Sequence, residues 1–361
     1  MANITSTSSI TEVVGQPPNL YVPPATSQLS VSAALRYLRL TPGASTITIN
    51  DSNVNIQKNL AALQALQSRI TEVTSTDAVK LLTVTDKDYT NDKGILSKWV
   101  GNSSEYKLNF TDITSAKAKT IWDSSISANV NSFAVKDTAI NIQNNFTDLT
   151  TMATDGVLGS VLQLNTSALI TLSVDQFQSG ATLLTKINKG FYNLAVTGAT
   201  VGNVVTAAGG LNLGANTRVK SISITDNTDN IDNNIDALQR LGMKIKTIAQ
   251  TDANPSDLVL ELNASQIQTN AFVLGKIVTG YQLAAQNTSA AQFSNILNNK
   301  KVITVDIVDK AANISRNWNT LNNLNNGTLS TVTVSDGTST AIKINLILMS
   351  LIQPLAPCSG S

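Results

Sequence analysis

One spacing recurs four times along these 361 residues, and a chain that repeats itself in this way builds its core one turn at a time. The clearest copy is Ile222 to Leu241, ISITDNTDNIDNNIDALQRL, and the others are Ile47 to Leu66, Phe133 to Met152 and Val305 to Leu324. In each copy an alternating apolar pair leads into an aspartate, Asp51, Asp137, Asp226 or Asp309. An Asn-Ile pair then follows four and five residues on: Asn55-Ile56, Asn141-Ile142, Asn230-Ile231 and Asn313-Ile314. Apolar residues fall four, seven and ten positions past the isoleucine, as Leu60/Leu63/Leu66, Phe146/Leu149/Met152, Ile235/Leu238/Leu241 and Trp318/Leu321/Leu324.

Alternation that gives way to this spacing is a strand turning into an amphipathic helix, with the period changing from 2 to about 3.6 at the aspartate. The aspartate therefore stands where an N-cap belongs, accepting first-turn N–H groups at the favourable end of the helix dipole. The competing reading makes Asp51, Asp137, Asp226 and Asp309 calcium ligands, but no second carboxylate recurs beside them at ligand spacing.

Tyr106, Tyr192 and Tyr281 open further alternating runs, YKLNF, YNLAV and YQLAA, in register with the aspartates. A second helix is expected over Tyr89/Leu96/Trp99, Phe177/Ala181/Leu184/Ile187 and Ile267/Ala271/Leu274/Ile277, each set following an apolar run (KLLTV, LITLS, LVLEL). One more strand is expected at Lys244 to Ala249, with a turn at Asn254-Pro255-Ser256-Asp257 and a weaker third helix from Thr288. The pattern predicts an α/β fold, a repeat solenoid of strand–helix turns with mainly parallel strands and about 85 residues per repeat. The expected divisions are an arm or cap at 1–26, the tail of a partial repeat at 27–46, repeats at 47–132, 133–221 and 222–304, and an incomplete repeat at 305–361.

Composition narrows the chemistry. Charged residues are 14%, against about 25% in an ordinary soluble domain, and the formal net charge of +1 with no basic run offers nothing to a nucleic acid. The absence of histidine removes the usual triads and the commonest metal ligand. Cys358 is the single cysteine, so no disulfide or thiolate metal site forms within one chain. The glycine stretch Ala208 to Gly214 lacks both phosphate-loop spacings and reads as a loop or bulge. No enzyme and no cofactor are expected. Lys98, Lys186 and Lys276 recur at the last turn of the second helix, where a cation complements the helix dipole; a glycan-binding ladder is the competing reading.

Residues 1 to 26, with Pro17-Pro18 and Pro23-Pro24, carry neither a basic start nor an apolar stretch, so no classical secretory signal is expected there. Val31 to Leu40 reads as a short helix, and Leu329 to Val334 and Ala341 to Leu346 as the paired strands of the unit. Ile342 to Ile352 is the most apolar segment, too short for the roughly 20 residues of a membrane span.

The unit D-x-x-x-N-I-x-x-x-Φ-x-x-L, followed by a Thr/Ser-rich strand pair, then Q-F/I or D-Y and L-x-K-I/W, resembles the repeats of large secreted bacterial surface proteins. These are S-layer-like, adhesin-like or haemolysin-annotated proteins exported by a type I system. The resemblance implies a location outside the cell or on its surface and leaves room for calcium, although the glycine-rich nonapeptide is lacking. The expected function is a structural protein that self-assembles head-to-tail into a filament or surface layer, with an adhesin or cell-surface glycan-binding module as the alternative. The expected assembly contacts are Tyr21, Leu35 and Leu38 on one copy and Ile342, Ile344, Leu346 and Leu348 on the next.

Overall fold

The computed structural model describes residues 28–41, 43, 46–205, 211–323 and 327–336. The fold is α/β, with four sheets whose strands all pair in parallel and alternate with helices along the chain. The first sheet holds β1 (Gln28–Leu29), β2 (Ile47–Asp51) and β3 (Ile70–Ser75), with α1 (Val31–Leu40), α2 (Asn53–Lys58) and α3 (Leu60–Gln64) between strands. The second orders β4 (Leu81–Thr85), β5 (Lys107–Ile113), β6 (Val130–Asp137) and β7 (Leu158–Gln163). Its crossovers carry α4 (Asp86–Asn91), α5 (Lys93–Val100), α6 (Ser115–Trp122), α7 (Ala139–Asn144) and α8 (Phe146–Thr154).

The same plan then repeats. The third sheet orders β8 (Leu169–Ser173), β9 (Asn193–Ala199), β10 (Val219–Asp226) and β11 (Ile245–Gln250), with α9 (Val174–Ser179), α10 (Ala181–Lys186), α11 (Val201–Val205), α12 (Thr228–Asn233) and α13 (Ile235–Leu241) in the connections. The fourth orders β12 (Val259–Asn263), β13 (Gln282–Thr288), β14 (Val302–Asp309) and β15 (Leu329–Val334), with α14 (Ala264–Thr269), α15 (Ala271–Leu274), α16 (Phe293–Leu297) and α17 (Ala311–Asn323). The chain divides into two compact units, Met1–Ala168 with Ser179–Tyr192, and Leu169–Gln178 with Asn193–Ser361. The divisions expected at 132/133, 221/222 and 304/305 fall inside β6, β10 and β14. The reason is phase: the aspartate motif is the most legible part of the repeat, whereas each complete sheet starts two strands earlier.

The cores follow the expected periodicity. On the aspartate strands, Ile49, Phe133, Val135, Ile222, Ile224, Val305 and Ile307 are buried, and so are Ile56, Ile142, Ile231 and Ile314 on the helices that follow. Leu63, Leu149, Leu238 and Leu321 are buried as well, while Leu66 and Leu241 are half-buried and Leu324 lies outside the described residues.

The second helix departs from expectation at its end. Ile187 and Ile277 lie beyond α10 and α15 in extended backbone, where they make single parallel bridges to Val161 of β7 and Ile248 of β11. Both are still buried, so their apolar character serves a sheet edge in place of a helix face. The third helix is short, eight residues in α6 and five in α11 and α16.

Within each unit, consecutive sheets are joined by polar side chains of the aspartate helix that cap N–H groups of the next layer. In the first, Gln57 Oε1 accepts from Thr83 N at 2.9 Å and Gln64 Oε1 from Ile95 N at 2.9 Å. In the second, Asp232 Oδ2 accepts from Glu261 N at 3.2 Å and Gln239 Oε1 from Val273 N at 3.0 Å. No described helix is long and apolar enough to cross a membrane.

Candidate functional site

The repeated aspartates share one hydrogen-bonding arrangement, and it differs from a local N-cap. One oxygen, Oδ1, accepts the N–H of the next residue: Ser52 at 2.7 Å, Thr138 at 2.9 Å, Asn227 at 2.8 Å and Lys310 at 2.8 Å. The same Oδ1 accepts the Nδ2 of the asparagine four residues on, at 2.8 Å from Asn55, 2.7 Å from Asn141, 2.8 Å from Asn230 and 2.7 Å from Asn313.

The other oxygen, Oδ2, reaches across to the preceding strand–helix connection. Asp51 accepts from Val31 N at 2.9 Å, Asp137 from Ser115 N at 2.8 Å and Asp226 from Val201 N at 2.8 Å. These donors are the first residues of α1, α6 and α11. Asp309 accepts from Ala290 N, before α16, at 3.1 Å. Asp51, Asp137 and Asp226 thus each pin two successive helix starts, and the helix that follows each is capped by the next residue: Ser52 Oγ, Thr138 Oγ1 and Asn227 Oδ1 accept from Asn55, Asn141 and Asn230 N. The orphan first-turn donors of one helix are satisfied by a carboxylate on the neighbouring strand.

The relay continues one strand further. Asp77 Oδ2 accepts from Asn53 N at 2.8 Å, Asp252 Oδ2 from Thr228 N at 2.8 Å and Asp336 Oδ1 from Ala311 N at 2.9 Å. In the second copy Asn165 takes the equivalent place and accepts from Ser167 N instead.

A third residue of the motif went unread in the sequence, an asparagine eight residues after the aspartate. The Nδ2 groups of Asn59, Asn145, Asn234 and Asn317 donate to the carbonyls of Asn55, Asn141, Asn230 and Asn313 at 2.8, 2.8, 2.9 and 2.9 Å. Asn59, Asn145 and Asn234 sit at the breaks between α2 and α3, α7 and α8, and α12 and α13. The recurring unit is D-x-x-x-N-x-x-x-N, and its signal was present in all four copies.

Each of these carboxylates is met by N–H donors on both oxygens, the arrangement that suits an anion held by dipoles. Among the described residues no group of three or more acidic or cysteine side chains gathers as a metal-ion cage. Burial pushes the carboxyls of Asp51, Asp137 and Asp309 up, but the bonds from Asn55, Asn141 and Asn313 and from the backbone amides outweigh it and hold all three below the ordinary value. A depressed folded value means stability that is present above the unfolded carboxylate pKa of about 3.9 and lost as pH falls through the folded values. Asp92 and Asp232 act in the opposite sense: burial, with Asp88 beside the first and Asp229 and Glu261 near the second, raises their values. Their contribution grows as the pH falls. The melting temperature should therefore hold or rise slightly from pH 7 toward 5 and drop steeply below about 4. Calorimetry across that range checks it, and a melting temperature that stays level down to pH 2.5 would overturn the staple reading.

The remaining predicted residues are dispersed. Leu38 is buried on α1 and Leu35 is half-buried. Tyr21, Ile342, Ile344, Leu346 and Leu348 lie outside the described residues. Lys98 and Lys186 stand in the last turns of α5 and α10. Lys276 follows α15, with its Nζ 4.8 Å from the centre of the Phe272 ring.

The aspartate–asparagine row also forms one wall of two surface grooves at equivalent places. The first, of about 590 Å³, runs between α1 and α2 and is lined by Leu35, Arg36, Arg39 and Leu40 on one side and by Asp51, Asn55 and Asn59 on the other. The second, of about 290 Å³, is lined by Thr200, Gly202 and Val205 opposite Asp226, Asn230 and Asn234. No family model matches this chain, and no curated protein matches it either.

Proposed function

We propose that this chain is an extracellular structural protein that associates with copies of itself, its repeats coiled as a solenoid of about 85-residue turns. The reading is non-catalytic, with the staple serving rigidity: a polar cluster that recurs in every copy is a device of construction, whereas a catalytic centre gathers unlike groups at one place. The resemblance to secreted bacterial surface proteins supports the location.

The observation that carries self-association is the state of β15. Its equivalents present buried faces: Ile70 and Val73 on β3, Leu158 and Val161 on β7, and Ile245 and Ile248 on β11. Leu329, Val332 and Val334 of β15 are only half-buried. Apolar side chains left half-buried on a strand offer a surface to another copy, and a contact between unlike ends propagates instead of closing.

Light scattering and negative-stain microscopy of the purified full chain test the proposal. The wild type should form filaments or sheets as concentration rises, and Val332→Glu, which places a charge on the contact, should remain monomeric with an unchanged melting temperature. A wild-type chain that stays monomeric with and without calcium would overturn it.

A further inference from the structure

We infer that the groove between α1 and α2 binds an acidic glycan, a chain whose sugars carry carboxylates. The inference goes beyond the assembly reading and stands apart from it, because it rests on how one copy of the repeat departs from another. The grooves at α1–α2 and α11–α12 share the same polar wall, Asp51/Asn55/Asn59 and Asp226/Asn230/Asn234. Their opposite walls are unlike. Where the second presents Thr200, Gly202 and Val205, the first presents Leu35, Arg36, Arg39 and Leu40, in about twice the volume.

Arg36 and Arg39 are one turn apart on α1, both exposed, and neither enters an ion pair or hydrogen bond with the described residues. The nearby Arg69 is different, since its guanidinium is spent on the carbonyls of Leu38 at 2.9 Å and Thr41 at 2.7 Å, closing the C-terminal end of α1. Two unspent guanidinium forks in a groove are built to receive planar carboxylates.

The facing wall asks for hydroxyl groups. Asn55 and Asn59 each spend one Nδ2 hydrogen, on Asp51 Oδ1 and on the Asn55 carbonyl, which leaves on each amide a second N–H and an Oδ1 that accepts no hydrogen bond from the described residues. Groups that both donate and accept, as sugar hydroxyls do, suit this wall, and carboxylates suit the other. Leu35 and the 49%-exposed Leu40 add an apolar surface against which a pyranose ring can lie. A uronic-acid oligosaccharide satisfies all three demands. An acidic peptide meets the second but brings fewer donors.

Isothermal titration of the full chain, kept below any concentration at which it associates, with hexagalacturonate, cellohexaose and hexaglutamate provides the test. Hexagalacturonate should bind, weaken at least tenfold as salt is raised from 50 to 200 mM, and weaken at least tenfold in Arg36→Gln/Arg39→Gln, with melting unchanged. Thr200→Ala, in the second groove, should bind as the wild type does. Failure of hexagalacturonate to bind, equal binding of cellohexaose, tighter binding of hexaglutamate, or full retention in the double variant would each overturn the assignment.

Discussion

Leu238→Ala is expected to cost about 2–5 kcal/mol of stability, measured by chemical denaturation. Leu238 is fully buried on α13, whose face packs toward α15 of the next layer, and its removal leaves a cavity that layers held by hydrogen bonds on both sides cannot collapse to fill. Leu63 and Leu149 hold the same register position, are equally buried, and should lose a similar amount. A near-neutral result at any of the three would show that the copy concerned does not pack in the common register.

Asp137→Ala should cost about 2–4 kcal/mol, more than a lost helix cap. The carboxylate receives Ser115 N, Thr138 N and Asn141 Nδ2, and Ser115 is fully buried, so its amide would be left without a partner or access to water. Thr138→Ala is the comparison, because Thr138 caps only its own helix, through Asn141 N at 3.3 Å, and should cost about 1 kcal/mol. Urea denaturation of the two variants separates the roles. Equal losses would mean that the aspartate acts locally, and the bridge from Asp137 to α6 contributes nothing.

The strands and helices were legible because they are local. Val31 to Leu40 forms α1 over the expected residues, LITLS is β8, KLLTV and LVLEL overlap β4 and β12 in all but one residue, and the alternating runs after Tyr106, Tyr192 and Tyr281 are β5, β9 and β13. Each rests on a period of 2 or 3.6 that a short window reveals. Parallel pairing was legible too, since strand–helix alternation leaves little other topology.

What only the tertiary structure decided are contacts between residues far apart in the chain. The donors to Asp51, Asp137, Asp226 and Asp309 from the preceding connection lie 20, 22, 25 and 19 residues away, and nothing in a local window says that a carboxylate beside one helix will cap another. Ile187 and Ile277 extended a helical spacing perfectly well, yet the edges of β7 and β11 drew them into extended backbone, because an uncovered strand edge and apolar face outweigh the few tenths of a kcal/mol that separate helical from extended propensity. Leu38, expected as an apolar assembly contact, is buried on α1. The asparagine at the eighth position is different: Asn59, Asn145, Asn234 and Asn317 stand at a fixed distance from each aspartate, but a polar side chain in a helix looks like solvated surface until its bond to the carbonyl four residues back is seen, at a helix break in the first three. Periodicity determined the elements, and hydrogen bonds between sequence-distant residues determined how those elements are joined.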